Sequence, residues 1–462
     1  MGATVELAEF VAETDFDRLP ADLIGRAKVY ILDNLAAGFI GSVQPWSLLV
    51  AGLVRELGGA EVCSVFNQPW RTDPSRATLV NGVMMGAFEA EHVGHVAHPS
   101  ATVFPAALAA AERYHADGRS FLTAMLLGYE VVCRVGEAQT AATERERGFH
   151  NPGVNGAFGA AAAVGRLLGL DARRLAWALG IAGSHACGLA EFAWEGAMTK
   201  RMHPGRAAQL GLESALLAAR GFTGPTTVLE GRYGYLNAYS PSPRPERLTA
   251  GLGREWLAAD LIVKAYPCHM LSQGLVHAIV EFKVRIPLDP REVRRVVVAG
   301  PFHAGLERHL DPQPRTVLGA QYSIPFTVAT AICRDLSDPL VFNEDLLADP
   351  LVGEVARRVE IRPDPDSAHG WTPHQGHRVV IETAGGRHEL TAAGFPGGPG
   401  RPLDLAGAAE KLYRYAGPVI GRAACEELVG LVARLEEVPD VARLARAVGR
   451  TPENAPKEDS PR

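Results

Sequence analysis

Residues 149–165 read Phe-His-Asn-Pro-Gly-Val-Asn-Gly-Ala-Phe-Gly-Ala-Ala-Ala-Ala-Val-Gly, a run without Asp, Glu, Lys or Arg. Residues 175–190 have a similar composition. Both runs fall short of the ~20 strongly apolar residues that a bilayer span needs, so they predict buried helices of a soluble protein. Gly153, Gly156 and Gly159 lack the preceding strand and the spacing of a dinucleotide-binding loop. The runs therefore favour close packing between helices.

The bulk composition limits the classes of protein to consider. A chain of 462 residues is long for one core, so two domains are expected. A net charge of −6 gives no general basic field for nucleic acid, and any anion site must be local. Residues 1–6 lack the pattern of a signal peptide, and six dispersed Cys without a CxxC pair are typical of a reducing compartment. We therefore expect a cytoplasmic protein without nucleic-acid or membrane partners.

Apolar periodicity predicts helices on both sides of these runs. Asp171 is positioned to cap a helix that starts at residue 172. After a proline-rich loop at residues 240–245, the pattern changes to strands at 293–298 and near 361, a hairpin of 378–382 with 387–391, and one helix at 317–333. The other predicted helices cover residues 23–42, 77–91, 105–114, 120–138, 156–170, 172–189, 206–221, 406–415, 420–435 and 441–448.

This order of elements predicts a mainly α fold with a smaller α+β domain. Residues 1–265 and 401–449 form the large all-helical domain, so that C-terminal helices complete the N-terminal part. Residues 266–400 form an inserted α+β lid domain. The polar tail at residues 450–462 contains three prolines and is predicted to be disordered.

The densest group of titratable residues lies at the end of the helix predicted at residues 77–91 and just beyond it. It contains Glu89, Glu91, His92, His95 and His98. Metal binding is one interpretation, since imidazole and carboxylate suit several divalent ions, but Gly94 and Pro99 interrupt any single helix face. An acid–base role for one His is the interpretation we favour, and an exposed loop is the third. We expect no metal.

Three further segments place His or Lys in a loop bounded by Gly or Pro. His150 precedes a helix whose N-terminal end favours anions. Lys200 and His203 share one face if their segment is helical, and residues 264–269 read Lys-Ala-Tyr-Pro-Cys-His. Lys binds carboxylates and His transfers protons near neutral pH. Solvated helix ends are the alternative for each segment alone, and Cys268 is either a nucleophile or a buried structural thiol. Together the segments predict a substrate pocket.

In this order, the segments resemble the MmgE/PrpD family, which includes 2-methylcitrate dehydratase, cis-aconitate decarboxylase and iminodisuccinate epimerase. The similarity covers residues 5–440. It implies a large helical domain with a smaller α+β lid, a homodimer, and a cofactor-free site between the domains. Two motifs depart from the family: residues 89–93 replace an Asp-rich DxDDT run, and His269 replaces the second Cys of KPYPCC. The motifs that carry the resemblance are His98-Pro99-Ser100, Gly148-Phe149-His150, and residues 199–208, 218–225 and 264–269.

The resemblance also implies roles for individual residues. Lys200 and Lys264 would hold substrate carboxylates, and His98 would be the main general acid or base. The predicted function is a lyase that abstracts a proton next to a carboxylate of a small di- or tricarboxylate, giving dehydration or decarboxylation. An epimerase with the same carbanion chemistry and a non-catalytic ligand-binding member are the alternatives. The predicted pocket residues are His98, His150, Lys200, Lys264 and His269, with Glu89, Glu91, His203 and Tyr322 as further substrate contacts.

Overall fold

The computed structural model describes residues 2–300, 307–364 and 377–449. Their contacts divide the chain into two compact units. The first contains residues 2–190, 200–261 and 404–449, and the second contains residues 191–199 and the described part of 262–403. The predicted boundaries lie at 265/266 and 400/401, and the short segment 191–199 is not singled out by the sequence. The tail predicted to be disordered, residues 450–462, lies outside the described residues.

The first unit is almost entirely helical. Its only described strands are β1 (Cys63–Ser64) and β2 (Arg71–Thr72), which pair antiparallel. Leu405–Ile420 and the two helices after it belong to this unit, although they follow the second unit in sequence. Its helices cover Ala3–Glu13, Ala21–Ser42, Pro45–Leu57, Pro74–Met85, Pro99–Tyr114, Gly118–Gln139, Ala142–Arg147, Asn151–Leu167, Ala172–Ser184, Thr199–Ala219, Tyr235–Tyr239, Leu405–Ile420, Arg422–Ala433 and Ala442–Val448.

Several helices begin where a side chain satisfies one of their first N–H groups or where a proline has no N–H to satisfy. The side chain of Asp171 accepts a hydrogen bond from the Arg174 N–H, as the sequence predicts, and Asp117 does the same for Ser120. Proline occupies the first turn of Pro99–Tyr114 and Asn151–Leu167, where it has no bond to lose. These starts place His98 and His150 directly at helix N-termini.

The glycine- and alanine-rich run of residues 149–165 forms a buried helix at the centre of this unit. A Cβ added at Gly159 would lie 2.7 Å from the Gly128 carbonyl oxygen, and one added at Gly128 would lie 2.6 Å from the Gly159 oxygen. Only glycine therefore permits this contact between Asn151–Leu167 and Gly118–Gln139. The small residues serve helix packing, as the sequence predicts.

The second unit combines a four-stranded sheet with short helices. The strands are β3 (Val293–Gly300), β4 (Val359–Pro363), β5 (His377–Thr383) and β6 (Gly386–Ala392), in the order β4-β3-β5-β6. The β3–β4 pair is parallel, and the β5–β6 hairpin is the one that the sequence predicts. The fold is therefore mainly α with a smaller α+β unit. The helices cover Phe192–Glu195, Gln273–Arg285, Val317–Tyr322, Ile324–Cys333, Glu344–Leu347 and Pro350–Arg357.

The prediction of a single helix at residues 317–333 is wrong, because the structure has two helices that are separated at Ser323. Ser323 has extended dihedral angles and accepts the Phe326 N–H through its hydroxyl oxygen, which starts a second helix. Pro325 then lies in the first turn, where its missing N–H costs nothing. The break leaves Tyr322 at the end of Val317–Tyr322.

Among the described residues, no individual helix combines the length and apolar character of a membrane span. Ala21–Ser42 and Pro45–Leu57 reach that threshold only as a pair, and the two helices meet at 84°.

Candidate active site

The loop of residues 86–98 carries three of the predicted site residues. It joins Pro74–Met85 to Pro99–Tyr114, and its Glu89 and Glu91 side chains are buried. Glu89 has a φ of 55°, a left-handed conformation that is uncommon for a residue with a Cβ. Such strained residues persist only where the surrounding structure fixes them, and they cluster at functional sites.

His98 forms an acid–base pair with Glu91. Its Nδ1 lies 3.0 Å from the Glu91 Oε1 atom. The Glu91 side chain is 1% exposed and that of His98 is 24% exposed. An ionised Glu91 accepts the Nδ1–H, which fixes the tautomer and leaves Nε2 to exchange a proton. Glu91, predicted as a substrate contact, is thus in position to orient His98.

His150 and His203 form a second imidazole pair. Their Nδ1 atoms are 2.9 Å apart, so one donates and the other accepts. The His150 ring is also 6.2 Å from the His98 ring, centre to centre. Burial and the nearby Lys200 charge lower the pKa of His203 to about 4, so His203 is neutral at pH 7. The structure therefore places His150 close to both His98 and His203.

Lys200 is bonded to Glu89, and both side chains are buried. A close helix crossing produces this contact, since a Cβ at Gly82 would lie 2.6 Å from the Gly205 Cα. Thr199–Ala219 thereby passes beside Pro74–Met85 and the loop that follows it. The ammonium predicted to hold a substrate carboxylate is opposed by a protein carboxylate, so the pair as a whole adds no net positive charge.

The predicted site residues of the second unit are Lys264 and His269, at the two ends of the segment 264–269, and Tyr322, at the end of its helix. The His269 ring is 4.6 Å from the Tyr322 ring and 4.6 Å from the His309 ring, centre to centre. The His309 Nδ1–H donates to the Tyr322 carbonyl oxygen at 2.9 Å, and Arg308 Nε donates to His309 Nε2. His309 was not predicted, because it lies outside the Gly- and Pro-bounded Lys–His segments. Lys264 is buried.

The amide of Gln273 holds the turn between Lys264 and His269. Its Nε2 donates to the carbonyl oxygens of Tyr266 and Cys268, at 2.9 and 2.8 Å. Its Oε1 accepts the Ala265 and Tyr266 N–H groups. Burial raises the pKa of the Cys268 thiol to about 12, which favours the protonated thiol at neutral pH. Together with the complete burial of its side chain, this favours the structural role among the two alternatives for Cys268.

The three histidines of the loop each have a carboxylate neighbour. The Nδ1 atoms of His92, His95 and His98 each face a different carboxylate: Asp33, Glu137 and Glu91. In the part of the chain that the structure describes, no three His, Cys, Asp or Glu side chains are arranged to bind a metal ion. The loop presents acid–base pairs.

Comparison with known proteins identifies the family. The MmgE/PrpD N-terminal domain matches residues 5–248, and the MmgE/PrpD C-terminal domain matches residues 266–437. A cis-aconitate decarboxylase-like protein, oryM, of Aspergillus oryzae is 30% identical over 471 residues, covering 96% of each chain. A cis-aconitate decarboxylase of Aspergillus terreus is 29% identical over 96% of this chain and 95% of its own. The human cis-aconitate decarboxylase is 29% identical over 91% of this chain and 89% of its own. Because the two domains match most of its length, the chain belongs to the MmgE/PrpD family.

Proposed function

We propose that the protein is a lyase that acts on a small di- or tricarboxylate with its own side chains, through a carbanion next to a carboxylate. The observation that carries the proposal is the Glu91–His98 pair, with a buried carboxylate on Nδ1 of a partly exposed imidazole. This arrangement suits general acid–base catalysis, which contributes about 10²–10⁴-fold to a rate.

In this mechanism His98 transfers the proton and Glu91 stabilises the imidazolium form. When a carboxylate leaves as CO₂, the C–C bond breaks, its electron pair stays on the substrate, and His98 protonates the resulting carbanion. When water leaves instead, one base removes the proton next to the carboxylate and an acid protonates the departing hydroxyl. His150, adjacent to His98 and hydrogen-bonded to a neutral His203, is the second proton carrier.

Substrate binding is assigned to the buried lysines. Lys264 holds a substrate carboxylate, and His269 contributes from the same segment; both roles remain predictions from the sequence. The sequence predicts that Lys200 also holds a substrate carboxylate, but Glu89 opposes its charge. We propose that the Lys200–Glu89 pair fixes the loop and donates a hydrogen bond to the substrate without adding net charge.

Decarboxylation is the first reaction to test, because several curated relatives are named for cis-aconitate decarboxylation. We propose that this protein likewise removes CO₂ from an unsaturated tricarboxylate such as cis-aconitate. At about 29% identity, the substrate within this class is open to test.

One mass-spectrometric experiment separates the possible reactions. The protein is incubated with a panel of di- and tricarboxylates in H₂O and, in parallel, in D₂O; products formed in H₂O are examined for loss of 44 Da or loss of 18 Da, and those formed in D₂O for deuterium uptake without such a loss. These outcomes indicate a decarboxylase, a dehydratase and an epimerase, respectively.

His98→Ala and Lys200→Ala are expected to abolish turnover in folded protein, whereas His115→Ala, at an exposed imidazole, is expected to preserve it. Wild-type rates in both site variants would refute the assignment, and no change in any substrate would indicate a non-catalytic member.

A further inference from the structure

We propose that a buried network of Asp33, Lys411 and His92 positions the Glu91–His98 pair for proton transfer. These are positioning residues, because they act through the loop of residues 86–98. The kinetic part of this proposal rests on the proposed function, but the geometric part does not.

The network joins the loop to two helices that are distant in sequence. Asp33 lies in the middle of Ala21–Ser42, and Lys411 lies in Leu405–Ile420. The Lys411 ammonium bonds to Asp33 Oδ1, and His92 Nδ1 lies 2.7 Å from Asp33 Oδ2. All three side chains are at most 4% exposed. Burying a charged pair is costly, so its retention in a core calls for a reason beyond stability.

The network holds the main chain on both sides of Glu91. Lys411 Nζ donates to the Ala90 carbonyl oxygen at 2.7 Å. The His92 N–H donates to Asp33 Oδ2 at 2.9 Å. Residues 90 and 92 are therefore fixed by one ion pair, and the carboxylate between them is aimed at His98. A misplacement of about 1 Å in such a group can cost about 10²-fold in rate.

The protonation states give the network no net charge and fix which groups donate and which accept its hydrogen bonds. Burial would raise the pKa of Asp33, but the Lys411 ammonium and the His92 hydrogen bond lower it overall, so Asp33 is ionised. Burial lowers the pKa of His92, which stays neutral with its proton on Nδ1. The His92 Nε2 then accepts from the Tyr129 hydroxyl at 3.2 Å, and Asn34 donates to the Tyr129 oxygen at 3.0 Å.

The test compares two buried ion pairs of the same unit. The Asp33→Asn/Lys411→Met variant removes the network without leaving an unpaired buried charge. The matched control is Glu130→Gln/Arg134→Met, which removes an equally buried pair whose bonds go to residues 248–258. The readout is the imidazole ¹⁵N shifts of His98 in alkaline buffer without substrate, assigned with a His98→Asn variant.

In the wild type and the control, we expect His98 to hold its proton on Nδ1. In the Asp33→Asn/Lys411→Met variant, we expect shifts averaged over both tautomers, and a kcat lowered about 10²-fold with little change in KM. If that variant does not fold, Tyr129→Phe, which removes one bond to His92, is expected to give a smaller change of the same kind.

Unchanged His98 shifts in a folded variant, or an equal change in the control, would overturn the proposal. If the wild-type protein converts no carboxylate, the proposed function fails, and the ¹⁵N shifts still decide the positioning role.

Discussion

The candidate residues of the helical unit and those of the α+β unit are held by different kinds of contact. In the helical unit, Lys200 bonds to Glu89 and His98 bonds to Glu91. In the α+β unit, the Gln273 amide and main-chain groups hold the turn at residues 264–269, and the His269 ring packs on two other rings.

The two kinds of contact control different properties of the candidate site residues. A carboxylate beside an imidazole or an ammonium controls where a proton lies and which charge is presented. A neutral amide that bonds four main-chain groups controls orientation and leaves charge unchanged. Substitutions that change a charge are therefore expected to have the larger effect on stability and activity in the helical unit. In the α+β unit, substitutions that remove hydrogen bonds are expected to have the larger effect on local stability.

The largest effect is expected at the Lys200–Glu89 pair. Lys200→Met removes the ammonium that opposes the buried Glu89 carboxylate, which should cost about 3–5 kcal/mol of stability. Lys200→Met/Glu89→Gln removes both charges and should cost much less. Hydrogen exchange of residues 86–98 and 199–219 measures the local free energy of opening in each variant. Equal protection in the single and the double variant would show that the pair is not coupled.

The α+β unit should respond most to Gln273→Ala. The substitution leaves two carbonyl oxygens and two N–H groups of residues 265–268 without their amide partner, at roughly 2–4 kcal/mol in total. Hydrogen exchange should rise within residues 264–273. Lys283→Met is the control, because Lys283 lies in the last turn of the same helix and donates to the Ala331 and Arg334 carbonyl oxygens; it should leave this segment protected. Protection that survives Gln273→Ala would show that other contacts hold the turn.

Glu91→Gln should lower kcat by about 10²-fold, equivalent to about 2.7 kcal/mol, because the amide keeps the size but loses the charge that stabilises the His98 imidazolium. KM should change little, since the lost interaction belongs to the transition state. Glu137→Gln is the matched control, because Glu137 makes the equivalent bond to His95. An equal loss of kcat in both variants would remove the special role of Glu91.

The sequence predicts the elements better than the contacts between them. The helix capped by Asp171 and the β5–β6 hairpin follow from local rules, whereas Lys200 meets Glu89 across 111 residues because two glycines allow their helices to cross. Small-residue composition indicates that helices pack closely, but neither composition nor periodicity identifies which two helices cross. Ser323 and Pro325 did carry a local signal for the broken helix, namely an N-cap residue followed by a proline in the first turn.

A signal for the buried network was also present in the sequence. Lys411 lies among Ala408, Leu412 and Tyr415, on the stripe of Leu405–Ile420 that helical periodicity assigns to the core. Asp33 likewise lies within an apolar helix. A charged residue at a core position implies a partner, but the sequence could not identify that partner, since 378 residues separate the two.

The smallest effect expected is a pH dependence of stability that comes from His203. The pKa of this imidazole is about 4 in the folded protein, against an ordinary value of 6.5. As pH falls below 6.5 the unfolded chain takes up a proton that the folded protein does not, so stability is lost between pH 6.5 and pH 4. Because the side chain is partly exposed, we expect a contribution of only about 1–2 kcal/mol.

His203→Asn should flatten this part of the profile relative to the wild type, measured by hydrogen exchange of residues 199–219 at pH 7 and pH 4.5. The contribution of His92, which has the same sign, cancels in the difference between the two proteins. A His115→Asn control should leave the slope unchanged, and a His203→Asn profile parallel to the wild type would mean that burial of the His150–His203 pair does not keep His203 neutral.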